Sequence, residues 1–178
     1  MTSVARPNLS HVGIFVHDLD IMHRFYTSVF GLKETDRGVG KTFKNTLVFL
    51  SARGDQHHQL VLSTGRPAEA TFSTVMQLSF KVEQINDLRR IRHDALAHGA
   101  SKMIGLNHGN ALSIYFADPE GNTIEVYLDT DYYVAQPHGD PLDLEKTDDE
   151  IFAETEAICR ADPTFLMRDD WERRFNTM

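Results

Sequence analysis

The chain has 178 residues, 41% of them hydrophobic, enough for one well-buried core and short for two independent domains. Its 18 basic and 26 acidic side chains leave a formal charge of −8, which argues against nucleic acid or an anionic membrane as partner and leaves small molecules and other proteins. The lone Cys159 excludes an intramolecular disulfide, MTSVARPNLS lacks the apolar stretch of a secretory signal, and no apolar run approaches the ~20 residues of a membrane span, so a soluble cytoplasmic protein is expected.

The first predicted element is a half-buried strand in LSHVGIFVHDLD, with Val12, Ile14 and Val16 on one face and His11, Gly13 and Phe15 on the other. A helix follows in DIMHRFYTSVFG, with the stripe Met22, Phe25, Tyr26, Val29 and a stop at Gly31. Three strand-like runs come next, near 32–36, 45–50 and 58–63. The pattern then repeats. VMQLSFKV is a strand with Leu78, Phe80 and Val82 against Gln77, Ser79 and Lys81. NDLRRIRHDALAHG is a helix with a cap-like Asn or Asp before it, the stripe Ile85, Leu88, Ile91, Ala95 and Leu96, and a stop at Gly99. Strand runs near 101–105, 112–117 and 122–128 complete the second unit. His11 and Gln77 are 66 positions apart, as are Gln59 and Glu125, so two βαβββ units are expected to begin and end in one register. Alternation then puts Leu60, Leu62, Ile124 and Val126 under the helices and Gln59 and Glu125 on the opposite face.

After Asp129 the composition changes. TDYYVAQPHGDPLDLEKTDDE has neither period and is predicted to be an extended arm. A helix is expected after it, capped by Thr147, with the stripe Ile151, Phe152, Ile158, Cys159 and a stop at Pro163. TFLMRDDWERRF can make a second short helix. The domain plan is therefore 1–129 for the paired units and 130–178 for an arm and helix that dock on the core or on a partner subunit, in a homodimer or higher homo-oligomer.

HVGIFVHDLD…FYTSVFGL and IYFADPEGNTIEVY resemble two diagnostic segments of the vicinal oxygen chelate superfamily, which includes glyoxalase I, fosfomycin and bleomycin resistance proteins and type I extradiol dioxygenases. The resemblance covers residues 8–129. It implies an α+β fold in which two βαβββ units form one curved mixed sheet around a cleft, followed here by the C-terminal arm and helix. It also implies four equivalent ligand positions on first and last strands, here His11, Gln59, Gln77 and Glu125. His11, Gln77 and Glu125 are the metal ligands this resemblance suggests, with Gln77 standing where the ring-cleaving branch has a second histidine.

Imidazole nitrogen and carboxylate oxygen together suit a first-row divalent metal. In DQHHQLVL, strict alternation puts His57 with Gln59 on the cleft side and His58 with Leu60 on the helix side, unless a bulge shifts the register. The family resemblance points instead to His58, the second member of an HH pair, as acid/base. It further implies that Tyr115 and His108 orient substrate. Phe15, Phe43 and Tyr127 are candidate walls around an aromatic ring, while His17, His23, His93 and His98 read as helix-surface residues and His138 as an arm residue within reach of a cleft. The tail also resembles that of small extradiol-type proteins. The expected function is extradiol cleavage of a catechol-like aromatic with Fe(II) and dioxygen. Two alternatives stay open: a glyoxalase-like lyase or isomerase using Zn, Ni or Mn, and a metal-free small-molecule binder of the resistance type.

Overall fold

The computed structural model describes residues 7–177. The chain divides between Phe72 and Ser73 into two compact units. In the first, β1 (Val12–Val16), α1 (Leu19–Phe30), β2 (Lys33–Val39), β3 (Thr46–Ser51) and β4 (Leu60–Thr64) form the predicted βαβββ order. In the second, β5 (Leu78–Lys81), α2 (Ile85–Ala97), β6 (Ser101–Asn107), β7 (Ala111–Ala117) and β8 (Thr123–Asp129) repeat it. The tail adds β9 (Tyr132–Tyr133), β10 (Asp140–Pro141), α3 (Asp148–Ala161), β11 (Leu166–Met167) and α4 (Arg168–Asn176). Hydrogen bonds group the strands by unit, as a four-stranded sheet β1-β4-β3-β2 and a five-stranded sheet β10-β6-β7-β8-β5, with β11 and β9 pairing separately. Each βαβββ repeat joins its first strand to its last in parallel, β1 to β4 and β5 to β8.

Local chemistry sets the element ends. The Asp18 carboxylate caps α1 by accepting from the Asp20 and Ile21 amides, and Gly31 ends it at φ 64°, a conformation that costs a side-chain-bearing residue. The stripe Met22, Phe25, Tyr26, Val29 is buried, as predicted, and Leu60 and Leu62 are buried with it. In the second unit Ile85, Leu88, Ile91 and Ala95 are buried with Ile124 and Val126. Two expectations for α2 are corrected. Leu96 is half exposed, because a step of four from Ile91 reaches Ala95 on the same face and a step of five turns away. The helix also starts before Asn86, at Ile85, and its N-cap Gln84 makes no side-chain cap.

Strict duplication at 66 positions would place Leu78 opposite Val126, as Val12 lies opposite Leu60. Leu78 instead pairs with Ile124, and Glu125 lies opposite Ser79. The two units therefore do not share one register. Because the displacement is two residues, every side chain keeps its face.

The tail packs on the second unit. Arg89 of α2 donates to the Leu144 and Lys146 carbonyls at 2.8 Å each and to Asp148 at 2.7 Å. Thr155 of α3 is fully buried and takes a 2.8 Å hydrogen bond from Asn107. Phe152, predicted in the α3 stripe, is 40% exposed; the helix instead turns Ile151, Thr155 and Cys159 inward at steps of four. Thr147 forms a complete capping box with Glu150. Thr147→Ala is expected to cost about 1 kcal/mol, read as a lower urea midpoint and faster amide exchange in the first turn of α3. An unchanged midpoint and unchanged exchange would contradict this role.

Candidate metal and substrate site

Glu125 lies on β8, flanked by β5 and β7, with Ser79 and Tyr115 as its direct cross-strand neighbours. Gln77 and Ser113 stand two residues before those neighbours, on the same face, within diagonal reach. All four donate to the carboxylate. Gln77 Nε2 and the Ser79 hydroxyl reach Oε2 at 2.7 and 2.6 Å, and the Ser113 and Tyr115 hydroxyls reach Oε1 at 3.1 and 2.5 Å. Glu125 is 9% exposed, and among the described residues it forms no ion pair. Neutral donors thus satisfy its hydrogen bonding while leaving its charge uncompensated.

Tyr115 extends the network. Its hydroxyl lies 3.0 Å from His108 Nε2, while His108 Nδ1 lies 2.6 Å from the His138 carbonyl. Burial, followed by the hydrogen bond to the Glu125 carboxylate, raises the Tyr115 pKa far above the ordinary phenol value. These residues border an open pocket of about 270 Å³ lined by His108, Asn110, Ala111, Tyr115, Glu125, Tyr127, Asp129 and Gln136. That volume sits just under the usual range for ligand sites and suits a single-ring compound. Burial raises the Asp129 carboxyl pKa, but hydrogen bonds from Arg168 and Lys81 more than offset this and hold it below the usual range.

The first unit carries a histidine cluster. β4 begins at Leu60, so His57 and His58 lie in the preceding loop, where strand alternation does not govern them. The alternation-based placement is therefore corrected. The His58 ring packs 4.3 Å from the His11 ring and edge-on to Phe49 at 5.2 Å. His57 is drawn away to Asp36, with Nε2 2.7 Å from Oδ2, while its Nδ1 lies 2.9 Å from His58 Nδ1. A bulge between Glu34 and Asp36 of β2 sets Asp36 opposite Phe49, beside the histidine pair. Burial lowers the His58 pKa, and the neighbouring His11 and His57 lower it further. Gln59, the fourth ligand position implied by the resemblance, is already engaged: its Oε1 accepts from the Ala52 amide at 3.0 Å and braces the β3–β4 loop.

The structure thus groups Gln77, His108, Tyr115 and Glu125 within the second unit, and His11 with His58 within the first. Among the candidate walls, Tyr127 lines the pocket, while Phe15 and Phe43 are 58% and 86% exposed. His138 contributes its carbonyl rather than its ring. Ser79 and Ser113 were missed in the sequence. The signal for them was parity, since Gln77-x-Ser79 and Ser113-x-Tyr115 repeat the two-residue period of the polar face.

Among the described residues no group of three or more His, Cys, Asp and Glu side chains is arranged to hold a metal ion. A set of one imidazole, one carboxylate and one glutamine amide contains only two residues of those types. The donors around Glu125 nevertheless fit a divalent cation: a buried anion without a counter-charge, in contact with an amide whose oxygen a half-turn would present.

The family model described as Glyoxalase/Bleomycin resistance protein/Dioxygenase superfamily matches residues 8–126, and the chain belongs to this superfamily. Biphenyl-2,3-diol 1,2-dioxygenase 3 of Rhodococcus globerulus is 24% identical over 128 residues, covering 69% of this chain and 64% of that relative's length. Among solved structures, a glyoxylase/bleomycin resistance protein/dioxygenase domain from Frankia sp. EAN1pec is 26% identical with a TM-score of 0.60, covering 71% of this chain and 100% of that one. The fosfomycin resistance protein FosX from Listeria monocytogenes, complexed with Mn(II) and sulfate, shares the fold at 21% identity and a TM-score of 0.55, covering 71% of this chain and 95% of that one. No helix among the described residues is long and apolar enough to cross a membrane.

The raised Tyr115 pKa gives a signed pH dependence. The folded state retains the phenol proton after the unfolded chain, with a tyrosine pKa of about 10, has begun to lose it. The stabilisation is therefore complete below that pH and is lost as pH rises toward the folded value. Tyr115→Phe is expected to flatten the fall in unfolding free energy over this alkaline range, measured by urea titration at stepped pH. An equally steep fall in the variant would contradict the assignment.

Proposed function

We propose that the protein is an Fe(II)-dependent extradiol-type ring-cleavage dioxygenase acting on a small catechol-like aromatic with dioxygen, with Gln77 and Glu125 of the second unit among its metal ligands. One observation carries this reading: the hydrogen-bonded run from His108 through Tyr115 to Glu125, along a pocket of single-ring size. Similarity to an enzyme named for biphenyl-2,3-diol supports a vicinal diol as substrate class. When bound, Fe(II) would supply the Lewis-acid and redox chemistry for ring opening beside a hydroxyl-bearing carbon.

The chain's own residues supply orientation and proton movement. A diol oxygen entering the pocket meets the Tyr115 hydroxyl, already oriented by Glu125 and His108. In the first unit, His58, with its lowered pKa, is the candidate proton acceptor. Phe49 covers one edge of that ring against water. His57 is committed to Asp36, which leaves His58 as the proton acceptor of the pair.

The contact between Gln77 and Glu125, two oxygen-bearing side chains, favours a second reading, a glyoxalase-like lyase or isomerase using Zn, Ni or Mn. Elemental analysis after anaerobic purification separates the readings. Iron supports the dioxygenase, the other metals support the lyase, and no metal after reconstitution supports a metal-free binder of planar ligands.

Glu125→Gln removes the anionic ligand at nearly constant shape, so metal affinity is expected to collapse while near-ultraviolet circular dichroism stays native. Full metal occupancy in that variant would contradict the site. His58→Ala is expected to keep iron and to lower turnover of a catechol panel by ~10²-fold or more. Loss of iron instead would make His58 a ligand.

A further inference from the structure

The turn that carries His108 is built by the C-terminal arm, which lies beyond the part of the chain matched by the family model. Gln136 Nε2 donates to the His108 carbonyl at 2.9 Å and to Asn110 Oδ1 at 3.2 Å. The Thr130 hydroxyl donates to the Gly109 carbonyl at 2.6 Å, and the Thr130 amide donates to the Asn110 carbonyl at 3.1 Å. Gly109, at φ 74°, is packed so closely that a Cβ there would lie 2.5 Å from Val134 Cγ2 and 3.1 Å from Cys159 Sγ. β10 then fastens the arm to β6 through Asp140 and Pro141, opposite Asn107 and Leu106.

This bracing fixes a proton. The His138 carbonyl, 2.6 Å from His108 Nδ1, can only accept, so Nδ1 bears the hydrogen. In the neutral ring Nε2 is then a lone pair, aimed at the Tyr115 hydroxyl 3.0 Å away. That hydroxyl has one proton and two acceptors within reach, His108 Nε2 and Glu125 Oε1. With the opposite tautomer, the lone pair on Nδ1 would face the carbonyl oxygen, and Nε2 could not accept a hydrogen bond from the Tyr115 hydroxyl.

We propose that the C-terminal arm is a positioning element of the site: its His138 carbonyl holds His108 as the Nδ1–H tautomer, so that the Nε2 lone pair faces the Tyr115 hydroxyl and orients it. The functional consequence rests on the dioxygenase reading; the tautomer itself does not. The side chain of His138 takes no part, since its Nε2 turns to Asp140 at 3.0 Å.

The test is two-bond ¹H–¹⁵N correlation spectroscopy of histidine-labelled full-length protein, without metal or substrate, at alkaline pH. The His108 signals are expected in the Nδ1–H pattern. Gly105→Ala provides the perturbation, because its Cβ would lie 2.5 Å from the Leu142 carbonyl oxygen and must push the arm off β6 without touching the pocket. Faster exchange of the Leu142 amide, which donates to the Gly105 carbonyl, reports that displacement. In this variant the single tautomer is expected to give way to a mixture. The Nε2–H pattern in the native chain, or an unchanged Nδ1–H pattern once the Leu142 amide exchanges faster, would overturn the proposal. A confirmed tautomer without ring cleavage of any catechol would overturn the dioxygenase reading alone.

Discussion

Glu125 is an anion held at the centre of a β-sheet face by four neutral hydrogen-bond donors, and the chemistry of the second unit is organised around it. An ionised carboxylate at this burial costs several kcal/mol unless its oxygens are satisfied. Four positions on the flanking strands are therefore constrained to carry donors. Gln77, just before β5, and Ser79 within it do so on one side, and Ser113 and Tyr115 of β7 on the other. An apolar residue at any one of them would leave a lone pair of the carboxylate unmet. Hydroxyls and an amide meet that need without cancelling the charge, so the carboxylate keeps its attraction for a cation.

The same alternation that builds the polar face builds the core. Leu78, Ile114, Phe116, Ile124 and Val126 are buried on the other side of these strands, so the hydrophobic packing that stabilises the unit also fixes the face on which the donors stand. The tail contributes in a second way. Arg89 and Thr155 anchor it, and the anchored arm brings a backbone carbonyl to His108. In the first unit a bulge in β2 has a comparable effect, setting Asp36 to draw off His57 and leave His58 against His11.

Much of this was legible in the sequence because it depends on period. The βαβββ repeat, the buried stripes, the Thr147 cap and the facing of Gln77 and Glu125 all follow from spacings of two, or of three and four. What escaped is what period does not encode. A two-residue change of register preserves every face, so pairing Ser79 rather than Gln77 opposite Glu125 leaves no trace in alternation. His57 and His58 precede their strand, where the loop determines which ring turns inward. The partner of His108 is a main-chain carbonyl, which every residue has and no residue type announces.

Whether the uncompensated Glu125 carboxylate is a cation ligand is tested most directly by an anomalous difference map at the iron edge, from crystals of protein loaded anaerobically with Fe(II). A single strong peak within coordinating distance of Glu125, with Gln77 as a further ligand, is the expected result. Loaded crystals with no peak at Glu125, and with its four hydrogen bonds to Gln77, Ser79, Ser113 and Tyr115 intact, would contradict it.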